Sequence, residues 1–149
     1  MKKIKIFLAS SIVEFKDIRH KIGEYVLEYN NKILDQEIKI KLFECEYYDS
    51  SISVLNRKQD EYMEILKESD IFVMFVGKKL GNYTKEEYEL AKKENIQRNI
   101  FFFKSKDIDS SVIDFKKELI NDHNAKIYEI NIVQEIKDIL YYIFDEQLT

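Results

Sequence analysis

The sequence predicts an α/β domain built on a five-stranded parallel sheet with helices on both faces. Short apolar runs alternate with longer segments whose apolar residues recur every three or four positions, a strand–helix alternation that parallel sheets require. The middle run, Ile71-Phe-Val-Met-Phe-Val76, is apolar without interruption, as befits a strand buried on both faces. At 149 residues, with no proline and three glycines, the chain has core enough for one domain and no proline-marked linker to divide it.

Lys3 to Ala9 alternates and then turns apolar, a first strand entering the core. Ser10 and Ser11 follow as a loop or helix cap, a position that serine favours. From Val13 to Leu34, Phe15, Ile18, Ile22, Tyr25, Val26, Tyr29 and Ile33 form one helical stripe. Ile38 to Cys45 is a second, half-alternating strand. The polar segment Glu46 to Asn56 has no clear period, and loops of that length inside a compact domain tend to be functional.

Arg57 to Glu68 is a second helix with Tyr62, Ile65 and Leu66 inward, and Ile71 to Val76 is the third strand. Thr84 to Glu94 is the third helix, where Thr84 followed by Glu87 fits a capping box. Asn99 to Lys104 is a fourth strand and Ser111 to Asp122 a fourth helix. Lys126 to Ile130 and Val133 to Gln147 close the chain as strand and helix. There are no internal repeats.

Composition narrows the function. A net charge of −4, a pI near 5.4 and the lack of any basic cluster argue against a nucleic-acid-binding face. A single cysteine, Cys45, excludes an internal disulfide framework, and His20 and His123 stand far apart, so no zinc centre is expected. No segment approaches the roughly 20 apolar residues of a membrane span, and no signal-peptide pattern opens the chain, which is therefore expected in the cytoplasm. The fingerprints GxGxxG, GxxxxGK[ST] and GxSxG are all missing. A response-regulator site is missing too: Ser10-Ser11 stand where an acidic pair should follow the first strand, and Val76-Gly77 where a phosphoacceptor aspartate should end the third.

Carboxylates remain. Gly77 to Ala91 (GKKLGNYTKEEYELA) places Glu86, Glu87 and Glu89 just past the central strand, while Glu46 and Asp49 lie in the long loop. Ligands of open parallel sheets bind at the carboxyl ends of the strands, so Glu87 is the best-placed candidate. The plain alternative is a solvated acidic first turn that suits the helix dipole. His20 reads as a surface or helix-packing residue, His123 as solvent-facing, and Cys45, for want of an evident base, as a buried small residue in preference to a reactive thiol.

These residues resemble a family. Lys5 to Ser11, Cys45 to Ser51, Arg57 to Tyr62, Glu68 to Val73 and above all Gly81 to Ala91 look like a bacterial TIR (Toll/interleukin-1 receptor) domain. The resemblance spans residues 1–149 as one domain and implies the TIR fold, a flavodoxin-like three-layer sandwich. It implies an NAD⁺ glycohydrolase of antiphage defence that cuts the nicotinamide–ribose bond, giving nicotinamide and ADP-ribose or a cyclic isomer. Tyr83, Glu87 and Ala91 match the spacing of that family's aromatic residue, catalytic glutamate and small residue, which selects Glu87. Tyr83 stands where tryptophan is usual, and the chain has no tryptophan.

For such chemistry Ser10 and Ser11, at the end of the first strand, would hold phosphate or ribose oxygens, and Glu46 would bind a ribose hydroxyl or brace the loop. No cofactor is implied beyond NAD⁺ as substrate. The partners implied are like copies in TIR–TIR assembly and a sensor region in a longer protein, with no nucleic acid and no membrane. Two other readings stand beside it. One is a non-catalytic TIR interaction module. The other is a nucleoside 2-deoxyribosyltransferase, which Thr84, Glu87 and Ala91 also resemble in spacing and which breaks the same class of bond. One carboxylate would serve either enzyme, since an oxocarbenium-like sugar needs negative charge beside it.

Overall fold

Alternation along the strands dictates a sheet with two covered faces, and a computed structural model shows how it is covered. The structure describes residues 2–10, 14–35, 37–44 and 61–148. Strands β1 (Lys2–Ala9), β2 (Ile38–Glu44), β3 (Ile71–Val76), β4 (Gln97–Phe103) and β5 (Ala125–Ile130) alternate with helices α1 (Lys16–Lys32), α2 (61–67), α3 (Asn82–Lys93), α4 (Ser110–Leu119) and α5 (Gln134–Leu148). All strand pairs are parallel, in the order β2-β1-β3-β4-β5. This is the flavodoxin-like three-layer arrangement that the strand–helix alternation predicts.

Successive side chains point to opposite faces of a strand, so one strand feeds two cores. Ile4, Ile6 and Leu8 of β1, with Ile71, Val73 and Phe75 of β3, pack beneath α1 and α5 against Ile22, Val26, Leu140 and Phe144. Phe7 and Ala9, with Phe72, Met74 and Val76, turn to the other face and meet Leu66, Tyr88, Ala91 and Phe115 from α2, α3 and α4. Every residue of β3 is buried, as its unbroken apolar run predicts. The edge strand β2 alternates, with Lys39 and Lys41 exposed and Ile40 buried.

Helix α1 is shorter than the expected Val13 to Leu34, and two further helix boundaries differ from the sequence expectation in ways that matter for the site. The third helix starts at Asn82, with Gly81 as N-cap in an extended conformation and the Lys85 amide donating to the Gly81 carbonyl at 3.0 Å. Thr84 therefore lies inside the first turn, buried against the sheet, and the expected Thr84–Glu87 capping box does not form. Helix α4 is capped by Asp109, which accepts from the Ser111 amide at 2.9 Å, and it ends at Leu119 instead of reaching Asp122. The turn that follows swings Asp122 inward.

There Asp122 meets Arg98 and Tyr88. Arg98 donates through Nε at 2.8 Å and Nη2 at 2.5 Å to the two carboxylate oxygens, and the Tyr88 hydroxyl donates at 2.6 Å. Arg98 Nη1 also donates to the Ile96 carbonyl at 2.7 Å. The cluster ties α3, β4 and the α4–β5 turn together at one point. Tyr88→Phe deletes one bond to a charged acceptor, and such bonds contribute about 1.5–3 kcal/mol. A loss of that size in unfolding free energy is expected from urea titration; an unchanged midpoint would show that the hydroxyl contributes nothing.

Candidate active site

The strand order reverses between β1 and β3: β1 leads through α1 to one side of the sheet, β3 through α3 to the other. Connections that leave in opposite directions open a crevice at the carboxyl ends of these two strands, where open α/β sheets take ligands. Ser10 follows β1 at this crevice, Gly77 to Gly81 follow β3, and α3 packs back on β1, β3 and β4.

Glu87 lies on the sheet-facing stripe of α3. That stripe is Thr84, Glu87, Tyr88 and Ala91, the one-turn spacing of a single helical face, and Glu87 is 1% exposed. Its neighbours Glu86 and Glu89 are exposed, so the acidic trio splits into one inward carboxylate and two solvated ones. Burial of a carboxylate is costly unless the surroundings compensate it. A charge in a position that packing would give to an apolar residue is where local rules yield to function. Tyr83, in the first turn of α3, is half-buried beside the same end of the sheet.

Ser10 is buried at the end of β1, and its hydroxyl accepts from Arg19 Nη1 at 2.6 Å. Arg19 is itself 4% exposed and occupies the α1 stripe between Phe15 and Ile22. A hydroxyl that accepts one bond keeps its own proton to donate, so Ser10 can still reach a ligand oxygen. Ser11 and Glu46, the other two expected binding residues, lie outside the described residues, as do Cys45, Asp49 and the long loop through Asn56. The structure thus brings Ser10, Tyr83 and Glu87 to one end of the sheet.

Two residues at this crevice escape sequence reasoning. Arg19 carries a signal in hindsight, since a charged residue on an apolar stripe is as anomalous as Glu87. Glu14 carries none. Its carboxylate lies against Gly77, and the Lys78 backbone amide donates to its Oε1 at 2.9 Å. His20 and His123 are exposed, as expected, His20 beside Glu24 at 3.3 Å. Among the described residues no group of three or more His, Cys, Asp or Glu side chains could hold a metal ion, and no helix is long and apolar enough to cross a membrane.

A doubly wound parallel sheet with helices on both faces places the chain in the class of flavodoxin-like α/β domains. Within that class, residues 5–145 match the family described as a domain of unknown function, DUF4062, and the chain belongs to that family. Among curated protein sequences none matches. Solved structures share the architecture. The Clostridium botulinum CMP N-glycosidase BcmB is 15% identical with a TM-score of 0.60, over 91% of this chain and 96% of that one. A 2-deoxyribosyltransferase from Bacillus psychrosaccharolyticus is 14% identical with a TM-score of 0.54, over 89% and 90%. The translation elongation factor SelB of Methanococcus maripaludis is 16% identical with a TM-score of 0.60, but only 35% of its chain is covered.

The TIR resemblance is thereby overturned, and with it the TIR-domain, NADase and defence reading: the family is DUF4062, and structures that share the fold are an N-glycosidase and a deoxyribosyltransferase. The reason is physical. A tyrosine, a glutamate and an alanine at four-residue spacing after a central strand are compatible with any helix that turns a carboxylate toward its sheet. That pattern locates Glu87 without specifying the family. Nor does the fold specify the chemistry, since a translation factor shares it.

Proposed function

We infer that this chain acts on the N-glycosidic bond of a nucleoside or nucleotide, with Glu87 as the group that faces the sugar. The observation that carries this reading is the carboxylate buried on the inward stripe of α3 next to the switch point. Two structures of the same fold, at low identity, are named as enzymes of that bond class, which supports the choice of reaction.

The bond that breaks joins C1′ of the sugar to a base nitrogen, and its electron pair leaves with the base. Positive charge develops on C1′ and the ring oxygen, and a carboxylate fixed beside it in a water-poor site stabilises that charge. Glu87 serves either by charge alone or by bonding to C1′, the glycosyl-enzyme route open to Asp and Glu carboxylates. Water then adds its oxygen to C1′, one of its protons goes to the departed base, and the products are free base and sugar. A second base in place of water would give transfer. In this reading Ser10 and Tyr83 bind sugar or base groups.

Free-base release from the common ribo- and deoxyribonucleosides and their 5′-monophosphates, followed by liquid chromatography, tests the reading. Release above the protein-free rate from at least one of them is the expected result. No release from any, with or without an added acceptor base, would remove the proposed activity.

A further inference from the structure

The carboxylate of Glu14 packs against Gly77 at the end of β3. A methyl group built on Gly77 would overlap Glu14 Oε1, so a methyl and the carboxylate compete for one space and the flexible carboxylate end is what would shift. The Lys78 amide points into it and donates to the same oxygen at 2.9 Å. Lys78 and Lys79 add two cationic side chains to the turn. The space lies at the end of β3, on the switch-point crevice that the proposed activity would use.

The turn does not depend on Glu14 for its shape. From the other side the Asp109 amide donates to the Lys78 carbonyl at 2.8 Å, and the Leu80 amide donates to Ser111 Oγ at 3.1 Å. These bonds anchor the turn to the start of α4, so the amide keeps its direction if the carboxylate leaves. Glu14 is exposed at the surface, and surface carboxylates exchange protein partners for water at little cost.

We propose that the Gly77–Lys78 turn is the seat for the phosphate of a nucleotide 5′-monophosphate, and that Glu14 occupies it as an internal stand-in until the ligand displaces it. A phosphomonoester brings close to two negative charges near neutral pH against one on the carboxylate, and three acceptor oxygens for the amide and the lysines. The proposal rests on the N-glycosidic reading for the identity of the ligand, and it makes nucleotides, not nucleosides, the substrate class. Glu14 then sets specificity by competing with ligands that carry only a weak anion or none.

The test follows the backbone amides of the ¹⁵N-labelled chain during titration with cytidine 5′-monophosphate, cytidine and inorganic phosphate. The Gly77 and Lys78 resonances are expected to move with the nucleotide and with phosphate and to stay in place with cytidine. Glu14→Ala is expected to tighten nucleotide binding at least about fivefold and leave cytidine unchanged. Gly77→Ala puts a methyl in the seat and expels a flexible side-chain end, so it should abolish the advantage of nucleotide over nucleoside while the remaining amide spectrum stays dispersed.

Equal effects of Glu14→Ala on cytidine and its monophosphate, or a still Lys78 amide, would overturn the proposal. So would phosphate shifts confined to the lysine-lined cavity of about 490 Å³ at the ends of β4 and β5, with Lys104, Lys106 and Lys116 in its wall. Failure of the parent reading looks different: nucleotide bound at Lys78 without base release keeps the seat and removes the glycosidic activity. Nucleoside cleaved with Lys78 unmoved does the reverse.

Discussion

Glu87→Gln is expected to lower base release by about 10³-fold and to leave the fold intact. The substitution keeps the shape of the side chain and removes its charge, and charge is what an oxocarbenium-like sugar requires. Deleting one preorganised group of this kind costs about 10²–10³ in rate, or up to about 4 kcal/mol of transition-state stabilisation. If the carboxylate also bonds to C1′, the upper end of that range applies. Stability should move little, with Tm within about 3 °C of the parent or above it, because a buried charge contributes more to chemistry than to folding. Glu86→Gln and Glu89→Gln, on the solvated side of the same turn, should retain the parental rate. A Glu87→Gln variant that keeps its activity would exclude the proposed role. A variant that loses activity together with its melting transition would say only that Glu87 holds the structure. The informative result is therefore lost turnover with an unchanged Tm.

The sheet and its order of elements were legible in the sequence because periodicity reports burial directly. The unbroken apolar run of β3 and the stripe of α1 are where they were expected. The one helical face shared by Thr84, Glu87 and Ala91 was legible from their spacing, but the capping box expected at Thr84 hid that Glu87 turns inward. The start of the helix was not legible. Gly81 in an extended conformation makes an N-cap without a side-chain acceptor, so the more recognisable Thr84 drew the boundary to itself. Glu14 could not be found from sequence, because it meets the Lys78 backbone amide and the bare Cα of Gly77, distant in the chain and without a side-chain pattern to betray the contact. Asp122 was hidden for the same reason: at the end of a predicted helix it looks like a solvated terminus, and only the crossing of β4 beneath it supplies Arg98.

That buried pair carries the second large prediction. Asp122→Ala should destabilise the protein by about 3–5 kcal/mol, because it leaves the Arg98 guanidinium buried without its counter-charge. Arg98 is 3% exposed and Asp122 6%, so neither can turn to water without opening the core beneath α3. The pH dependence follows from the same contacts. Burial pushes the Asp122 carboxyl up, but the hydrogen bonds from Arg98 and Tyr88 outweigh it and hold it at about 2, below the ordinary 3.8. A depressed carboxyl contributes its stability above its unfolded value and loses it as pH falls toward the folded one. The difference between the parent and Asp122→Asn should therefore be constant above about pH 5, shrink from pH 4 to pH 2, and vanish below. A difference that grew on acidification would show that the carboxylate is not what the cluster stabilises. Because Tyr88 follows Glu87 directly, the cluster also fixes the register of α3 against the sheet. Asp122→Asn, which keeps the side chain and weakens the pair, should then lower turnover more than it lowers substrate affinity, as expected when a supporting contact lets a catalytic group drift from its reactive position.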